Sequence, residues 1–401
     1  MTAYIVTGLL MASIGVFAFF LLRREGLLRR MDLTAISIVL LLGAFAARFL
    51  VIDYETLDYQ WFLGPWVQHF RDHGGFAALA RPVGNYNVTY LYFLALFSYI
   101  PLPDLHLIKL LSIFFDVVLA FYVMRIVGLY VKSDSRRWIA FFLVLYLPTV
   151  FLNGSYWGQC DSIFVAFAVM GFYYALAGRP VLSMVGAALS LAFKLQAVFL
   201  LPIYPLLLFA RRIKFRHLPV FPAAYLLAIL PVVIIGRPFW DTLLLYINQA
   251  HTAGTGLNYN SPSIFTLIRA EHYDPFWAAL GVAWTVAFVL LMYLFTLSRG
   301  RNLSNETLLT LGIIFAVGVP LLLPHMNDRY FFLADIFAVC LGLSRLRYLP
   351  AIALTQFASL LGYHAYLQQR FLLPMRYGTF ALLLLMAVLL FDLVWTTKQR
   401  R

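Results

Sequence analysis

Residues 3–22, 33–52, 275–297 and 378–395 are apolar runs of bilayer length, and they leave few folds open to this chain. A helix needs about 20 residues to cross a hydrocarbon core of about 30 Å. Lipid offers no water to an unpaired N–H or C=O, so a spanning segment is a helix or a strand of a closed barrel. The alternating apolar and polar segments of a barrel are absent, which leaves helices. With 63% hydrophobic and 12% charged residues, a soluble globular fold is excluded. The first run, "AYIVTGLLMASIGVFAFFLL", has no basic segment before it and no small-residue cleavage site before "RREGLLRR". It reads as a mature helix rather than a signal peptide. Cys160 and Cys340 lie in or beside apolar runs without CxxC spacing, so neither a disulfide framework nor a metal site is expected of them.

The net charge of +13 is explained by topology rather than by nucleic acid. Basic residues cluster in the gaps between apolar runs: Arg23, Arg24, Arg29 and Arg30; Lys132, Arg136 and Arg137; Arg211, Arg212, Lys214 and Arg216. Smaller groups follow at Arg299 and Arg301, at Arg345 and Arg347, and at Lys398, Arg400 and Arg401. Positive charge marks cytoplasmic loops. The first helix then runs inward and 33–52 runs outward. Further crossings are predicted near 105–128, 137–153, 160–177, 218–235, 275–297, 306–323, 331–347, 350–366 and 378–395. A full crossing at 86–104 would put the basic 132–137 gap outside, so that stretch is expected to be short or re-entrant. Residues 181–210, broken by "KLQ" and two prolines, are expected as two short helices around Lys194, Gln196 and Pro202. The expectation is one all-α polytopic domain over 1–401, about 13 crossings, with its N-terminus outside and C-terminus cytoplasmic. No tandem repeat is visible, nor the matching pair of broken helices of an inverted-repeat transporter.

On this threading the remaining polar residues gather on the outer side, in five groups. The first is the outer loop 53–104, which opens with Asp53, Glu55 and Asp58 and continues with Tyr59 and Trp61. Trp61, Phe62, Trp66, Val67 and Phe70 have helical spacing, and Gln68, His69, Arg71 and Asp72 occupy other faces, as in an interfacial helix. A single carboxylate there is as readily a solvated helix end; the group, beside a helix able to wall off a cavity, points to function. The second is "NGSYWGQCDS", where Asp161 opens a helix after Trp157 and Gln159. Its plain reading is a carboxylate at the positive end of a helix dipole. Third, Lys194 stands in an apolar run, where an ammonium snorkels or is paired. Fourth, His325, Asn327, Asp328, Arg329 and Tyr330 share one short turn, and the planar fork of Arg329 suits phosphate oxygens. Fifth, the loop 236–262 with His251, Asn258, Tyr259 and Asn260 reads equally as a lid or as an ordinary loop. Asp116, Asp335 and Asp392 inside apolar runs are expected to pair structurally.

Carboxylates and cations converging on one outer cavity at lipid depth suit a reaction on a lipid-linked phosphate. Glycosyl transfer from a polyprenyl-phosphate sugar needs a carboxylate to take the acceptor hydroxyl's proton. It also needs Arg or Lys for the departing phosphate. The chain carries no nucleotide-sugar fold signature, Walker loop or HExxH. The stretches "DYQWFLGPWV" (58–67), "NYNVTYLYFL" (85–94), "NGSYWGQCDSI" (153–163), "LAFKLQAVFLLP" (191–202) and "PHMNDRYFFLADI" (324–336) resemble the GT-C superfamily of polytopic, polyprenyl-phosphate-sugar glycosyltransferases. Within it the likeness is to the second mannosyltransferase of GPI-anchor assembly and its bacterial relatives. The motifs keep that family's order over roughly residues 40–340; "NYNV" stands where the family often has "NYPP", and Asp328 where it has a glutamate.

The resemblance implies an inverting transfer with an acidic residue of the first outer loop as base, Asp58 by position and Asp53 as competitor. Asp161 would orient acceptor or donor, and Lys194 and Arg329 would hold the lipid phosphate. Tyr59, Trp61, Trp157, Gln159, Gln196, His325, Asp328 and Tyr330 are the further substrate-binding candidates. The first loop lacks a DxD, so no metal or other cofactor is expected. The expected partners are a polyprenyl-phosphate sugar (mannose by resemblance), a lipid-linked or cell-envelope glycan acceptor and membrane lipids. The expected place is a bacterial plasma membrane with the site facing outward. The rivals are a flippase of a lipid-linked saccharide, which needs ionisable groups at the midplane and access from both faces, and a non-catalytic scaffold.

Overall fold

The computed structural model describes residues 2–251, 256–268 and 275–398. Residues 252–255 of the expected lid loop, and Arg400 and Arg401 of the basic tail, lie outside the described residues. The central helix is Asp104–Tyr130. Pro103 precedes it and Asp104 occupies its first turn, where a carboxylate complements the helix dipole. It is buried along most of its length and packs on Asp134–Tyr146 and Asp161–Leu176. Ser133 caps Asp134–Tyr146 by accepting from Arg136 N, and Ser304 caps Asn305–Leu322 by accepting from Thr307 N. Thr2–Arg24, Met31–Leu50, Pro275–Ser298 and Arg376–Lys398 lie outside this core and expose much of their apolar surface, as lipid-facing helices do.

The expected all-helical, multi-pass architecture is present, while fewer than 13 helices meet the length and apolarity of a full crossing. Among the described residues seven helices are long and apolar enough to cross a membrane, or eight if the bent pair Asp134–Tyr146 and Pro148–Trp157 is one span. The difference lies in length for most of the others, and in apolarity for Leu349–Leu367, which has 19 residues. Asp161–Leu176, Pro180–Phe193 and Phe332–Ser344 have only 16, 14 and 13 residues, fewer than the about 20 that a full crossing needs. The stretch 86–104 is the short piece expected of it: helix Val88–Phe97 has ten residues. The stretch 181–210 is likewise broken, into Pro180–Phe193, a tight turn Leu195–Phe199 and Ile203–Phe209.

The interfacial helix is Gly64–Asp72, tied to the head of the central helix by an Arg71–Asp104 ion pair of 2.6 Å. Its expected apolar stripe does not run straight. A π-helical turn at Tyr59–Leu63, with Gly64 N–H reaching Tyr59 O, inserts a residue and shifts the phase. Val67 and Phe70 are fully buried, whereas Trp61 is 72% and Phe62 48% exposed. The loop 236–262 is pinned in its described part: Asn258–Tyr259 pairs in parallel with Met326–Asn327. The three intramembrane aspartates do have partners. Arg48 reaches Asp116 at 3.1 Å, Arg347 reaches Asp392 at 2.5 Å, and Ser359 Oγ donates to Asp335 Oδ1 at 3.1 Å.

Candidate active site

Four separate segments meet beneath the interfacial helix. The first ends the loop after Met31–Leu50: Thr56 Oγ1 donates to Trp157 O at 2.9 Å, which sets Asp58 against the second segment. That segment is a π-helical turn, Phe151–Trp157, closed by Gly158 at φ 81, a left-handed conformation that suits glycine. Ser112 of the central helix donates to Gln159 O at 2.7 Å, two turns below Asp104 or about 12 Å along the axis. Asp161 then opens its short helix. Lys194 is the residue at which Pro180–Phe193 stops, its backbone extended at φ −155. Arg329 comes from the turn after Met326–Asn327.

Asp58 Oδ2 accepts hydrogen bonds from Trp157 Nε1 at 2.7 Å and Gln159 Nε2 at 2.6 Å, and lies 3.8 Å from Arg329 Nη1. Asp161 Oδ1 accepts from Lys194 Nζ at 2.5 Å, while its Oδ2 accepts from Asn153 Nδ2 at 2.8 Å and lies 3.6 Å from Arg329 Nε. Arg329 Nη1 also donates to Asp328 Oδ1 at 3.3 Å. Three carboxylates and two cations therefore form one network, and Arg329 is its hub. The guanidinium lies 5.1 Å from the centre of the Trp157 ring, which Tyr366 stacks on from a 4.4 Å centroid distance. Tyr86 covers Lys194 and donates to Gln159 Oε1 at 3.1 Å. Trp66 of the interfacial helix packs edge-on to Tyr86, and a Cβ at Gly84 would collide with the Trp66 ring. That helix therefore roofs the site. Burial pushes the Asp328 carboxyl up to about 7, against the pull of Arg329 and with the Asp58 charge adding to the rise.

Asp58, Asp161, Trp157, Gln159, Lys194, Asp328 and Arg329 thus come together. Asp53 stands outside this network: its Oδ1 lies 2.8 Å from His106 Nε2 and accepts from Tyr4 Oη at 3.2 Å. The ring of His325 turns to Gly256 O, 2.7 Å from its Nδ1, in a residue held at φ 61. Tyr330 Oη accepts from Asn327 at 3.0 Å, Tyr59 packs on Gly64, and Trp61 faces outward. Gln196 Oε1 is buried without a hydrogen-bond partner. Asn153, Tyr86, Tyr363 and Tyr366 also line the site without having stood out in the sequence. Asn153 and Tyr86 sit inside stretches already singled out; the two late tyrosines, among 24, carried no local signal. Tyr363 accepts from Asn153 at 3.1 Å and packs edge-on to Trp157, so the last part of the chain also shapes the site.

Among the described residues no three His, Cys, Asp or Glu side chains are grouped to hold a metal ion. No curated protein and no solved structure matches the chain. A family match covers residues 85–324, and so takes in Asp161 and Lys194 while Asp58 and Arg329 flank it. A polytopic helical chain with a roofed, ion-paired cluster, matched over more than half its length, belongs to glycosyltransferase family 87.

Proposed function

We propose that this glycosyltransferase inverts the anomeric carbon of a hexose as it moves it from a polyprenyl-phosphate carrier to a glycan or glycolipid at the outer membrane face. One observation carries the reading. Asp58, with a side chain still 15% exposed, is clamped by Trp157 and Gln159 beside Arg329, whose buried Nε has no hydrogen-bond partner. A partly exposed carboxylate thus adjoins a guanidinium whose Nε, 3.6 Å from Asp161 Oδ2, makes no hydrogen bond.

In this scheme the acceptor oxygen forms a bond to the sugar's C1 while Asp58 takes its proton. The bond from C1 to the phosphate oxygen breaks on the opposite side. Its electron pair leaves with the polyprenyl phosphate, whose charge Arg329 and Lys194 meet. Trp157 and Gln159 hold Asp58 in one orientation, and Asp161 holds the two cations. Asp53, bound to His106, is left out of the chemistry. Gln196 is kept as a sugar-binding group. Mannose as the sugar and a bacterial plasma membrane as the place rest on the motif likeness alone.

The test is transfer in lipid vesicles, with radiolabelled polyprenyl-phosphate hexoses and an envelope-lipid extract. Transfer from one donor, reduced at least ~100-fold in folded Asp58→Asn, is the expected result. No transfer from any donor, alongside movement of a lipid-linked sugar between leaflets, would replace this reading with a flippase.

A further inference from the structure

Four Lys and Arg side chains are buried among the described residues: Arg48, Lys109, Lys194 and Arg237. Three are satisfied inside the protein. Arg48 has Asp116, Lys109 donates to Val51 O and Tyr54 O at 2.7 Å each, and Lys194 has Asp161. Arg237 is different. It is 4% exposed, yet its Nε and Nη1 have no hydrogen-bond partner. The nearest acidic residue along the chain, Asp241, is exposed and makes no ion pair with it within 4.0 Å. We infer that Arg237 is the centre of a second anion site, apart from the Asp58–Arg329 network, and that it takes a phosphate group carried by a lipid.

The position argues for the ligand. Helix Val220–Ile235 ends with Gly236 at φ 119; Gly236 N–H bonds Val233 O and Arg237 N–H bonds Val232 O, both at 3.1 Å. This closing turn points the chain back over the protein, so the guanidinium is sealed while its neighbours are not. Tyr92 Oη accepts from Val232 N at 3.2 Å on one side, and Ala80 approaches Gly236 on the other. Three residues before and after Arg237, Ile234 is 76% and Trp240 66% exposed, and Phe239 is also exposed. Exposed apolar residues on both sides of an unspent guanidinium suit an amphiphile with acyl or prenyl chains outside and an anionic phosphate inside. The positive charge does favour the helix's negative end, but that attraction leaves two buried donors unused.

The experiment uses the purified full chain in detergent, in the Asp58→Asn background so that turnover cannot contribute. Binding of farnesyl phosphate, phosphatidylglycerol, diacylglycerol and inorganic phosphate is measured with and without Arg237→Gln. The expected result is two binding sites for a phosphorylated lipid in the parent, one of them at the Arg329 and Lys194 network, and a loss of at least tenfold in affinity at the other site in the variant. Diacylglycerol should bind neither protein, and inorganic phosphate should bind far more weakly than the lipids. Arg237→Met should unfold at the same or a higher temperature than its parent when no lipid is added, because it removes an unpaired buried charge. Unchanged lipid affinity in folded Arg237→Gln overturns the inference. So does lower unliganded stability in both variants, which would make Arg237 structural. Equal binding of inorganic phosphate and lipid would overturn the assignment to a lipid.

Discussion

Among the contacts of Trp157, three differ in kind: its N–H reaches Asp58, one face meets Arg329, and Tyr366 stacks against the ring. These can be separated by substitution. Trp157→Phe keeps an aromatic surface but loses the hydrogen bond, so Asp58 keeps Gln159 and the more distant Arg329 but not its indole donor. The expected outcome is a kcat lower by about tenfold, of the size of a lost hydrogen bond to a charged group, with a smaller change in KM. Asp328 gives a pH prediction. Its folded pKa, raised to about 7, lies above that of an unfolded aspartate. Stability linked to this group is therefore fully present below about pH 4 and lost as pH rises through about 7. Asp328→Asn has no such proton to lose. Thermal unfolding at pH 5 and pH 8 should show the variant gaining on the wild type at the higher pH; a parallel shift at both would refute the assignment.

At the scale of elements, the site depends on how closely two short helices pack. Asp161–Leu176 and Pro180–Phe193 form a hairpin carrying Asp161 at the start of one arm and Lys194 at the end of the other. A Cβ on Gly186 would lie 2.7 Å from Gly171 N and Cα and 2.9 Å from Phe167 O. Those are backbone atoms that cannot swing aside, so the arms must part. Gly186→Ala should cost about 1–3 kcal/mol of stability and should also lower kcat, because separation pulls Lys194 from Asp161. Gly158→Ala probes a different limit. Its Cβ would meet only ordinary contacts at 3.9 Å, but φ +81 strains any L side chain, at about 1–2 kcal/mol. Comparison of the two by thermal unfolding separates crowding from backbone strain.

At the scale of the whole molecule, orientation and metal independence can be tested together with topology. Cys160 and Cys340 are buried, so single cysteines introduced elsewhere report cleanly. On the positive-inside threading, Arg370→Cys should react with a membrane-impermeant maleimide in intact cells and Lys132→Cys only after permeabilisation; the reverse pattern would turn the site to the cytoplasm. Transfer should be unchanged by EDTA, and a loss restored by a divalent cation would bring a metal into the mechanism. The sequence by itself determined what local composition can determine. Apolar runs, basic gaps and broken stretches such as 181–210 established a polytopic helical chain, because lipid forces each backbone segment to satisfy its own hydrogen bonds. The motifs around Asp58, Asp161, Lys194 and Arg329 were legible too, since ionisable residues in apolar surroundings are conspicuous. Only the tertiary structure decided which carboxylate of the first loop joins Arg329. Asp53 and Asp58 differ little in sequence context, yet Thr56 and the turn at Gly158 carry one to Trp157 while His106 holds the other. It also decided that several apolar runs form helices shorter than a full crossing, that Tyr363 and Tyr366 return to the site, and that buried Arg237 leaves Nε and Nη1 without hydrogen bonds. Those outcomes depend on contacts between residues far apart in the chain, which no local pattern encodes.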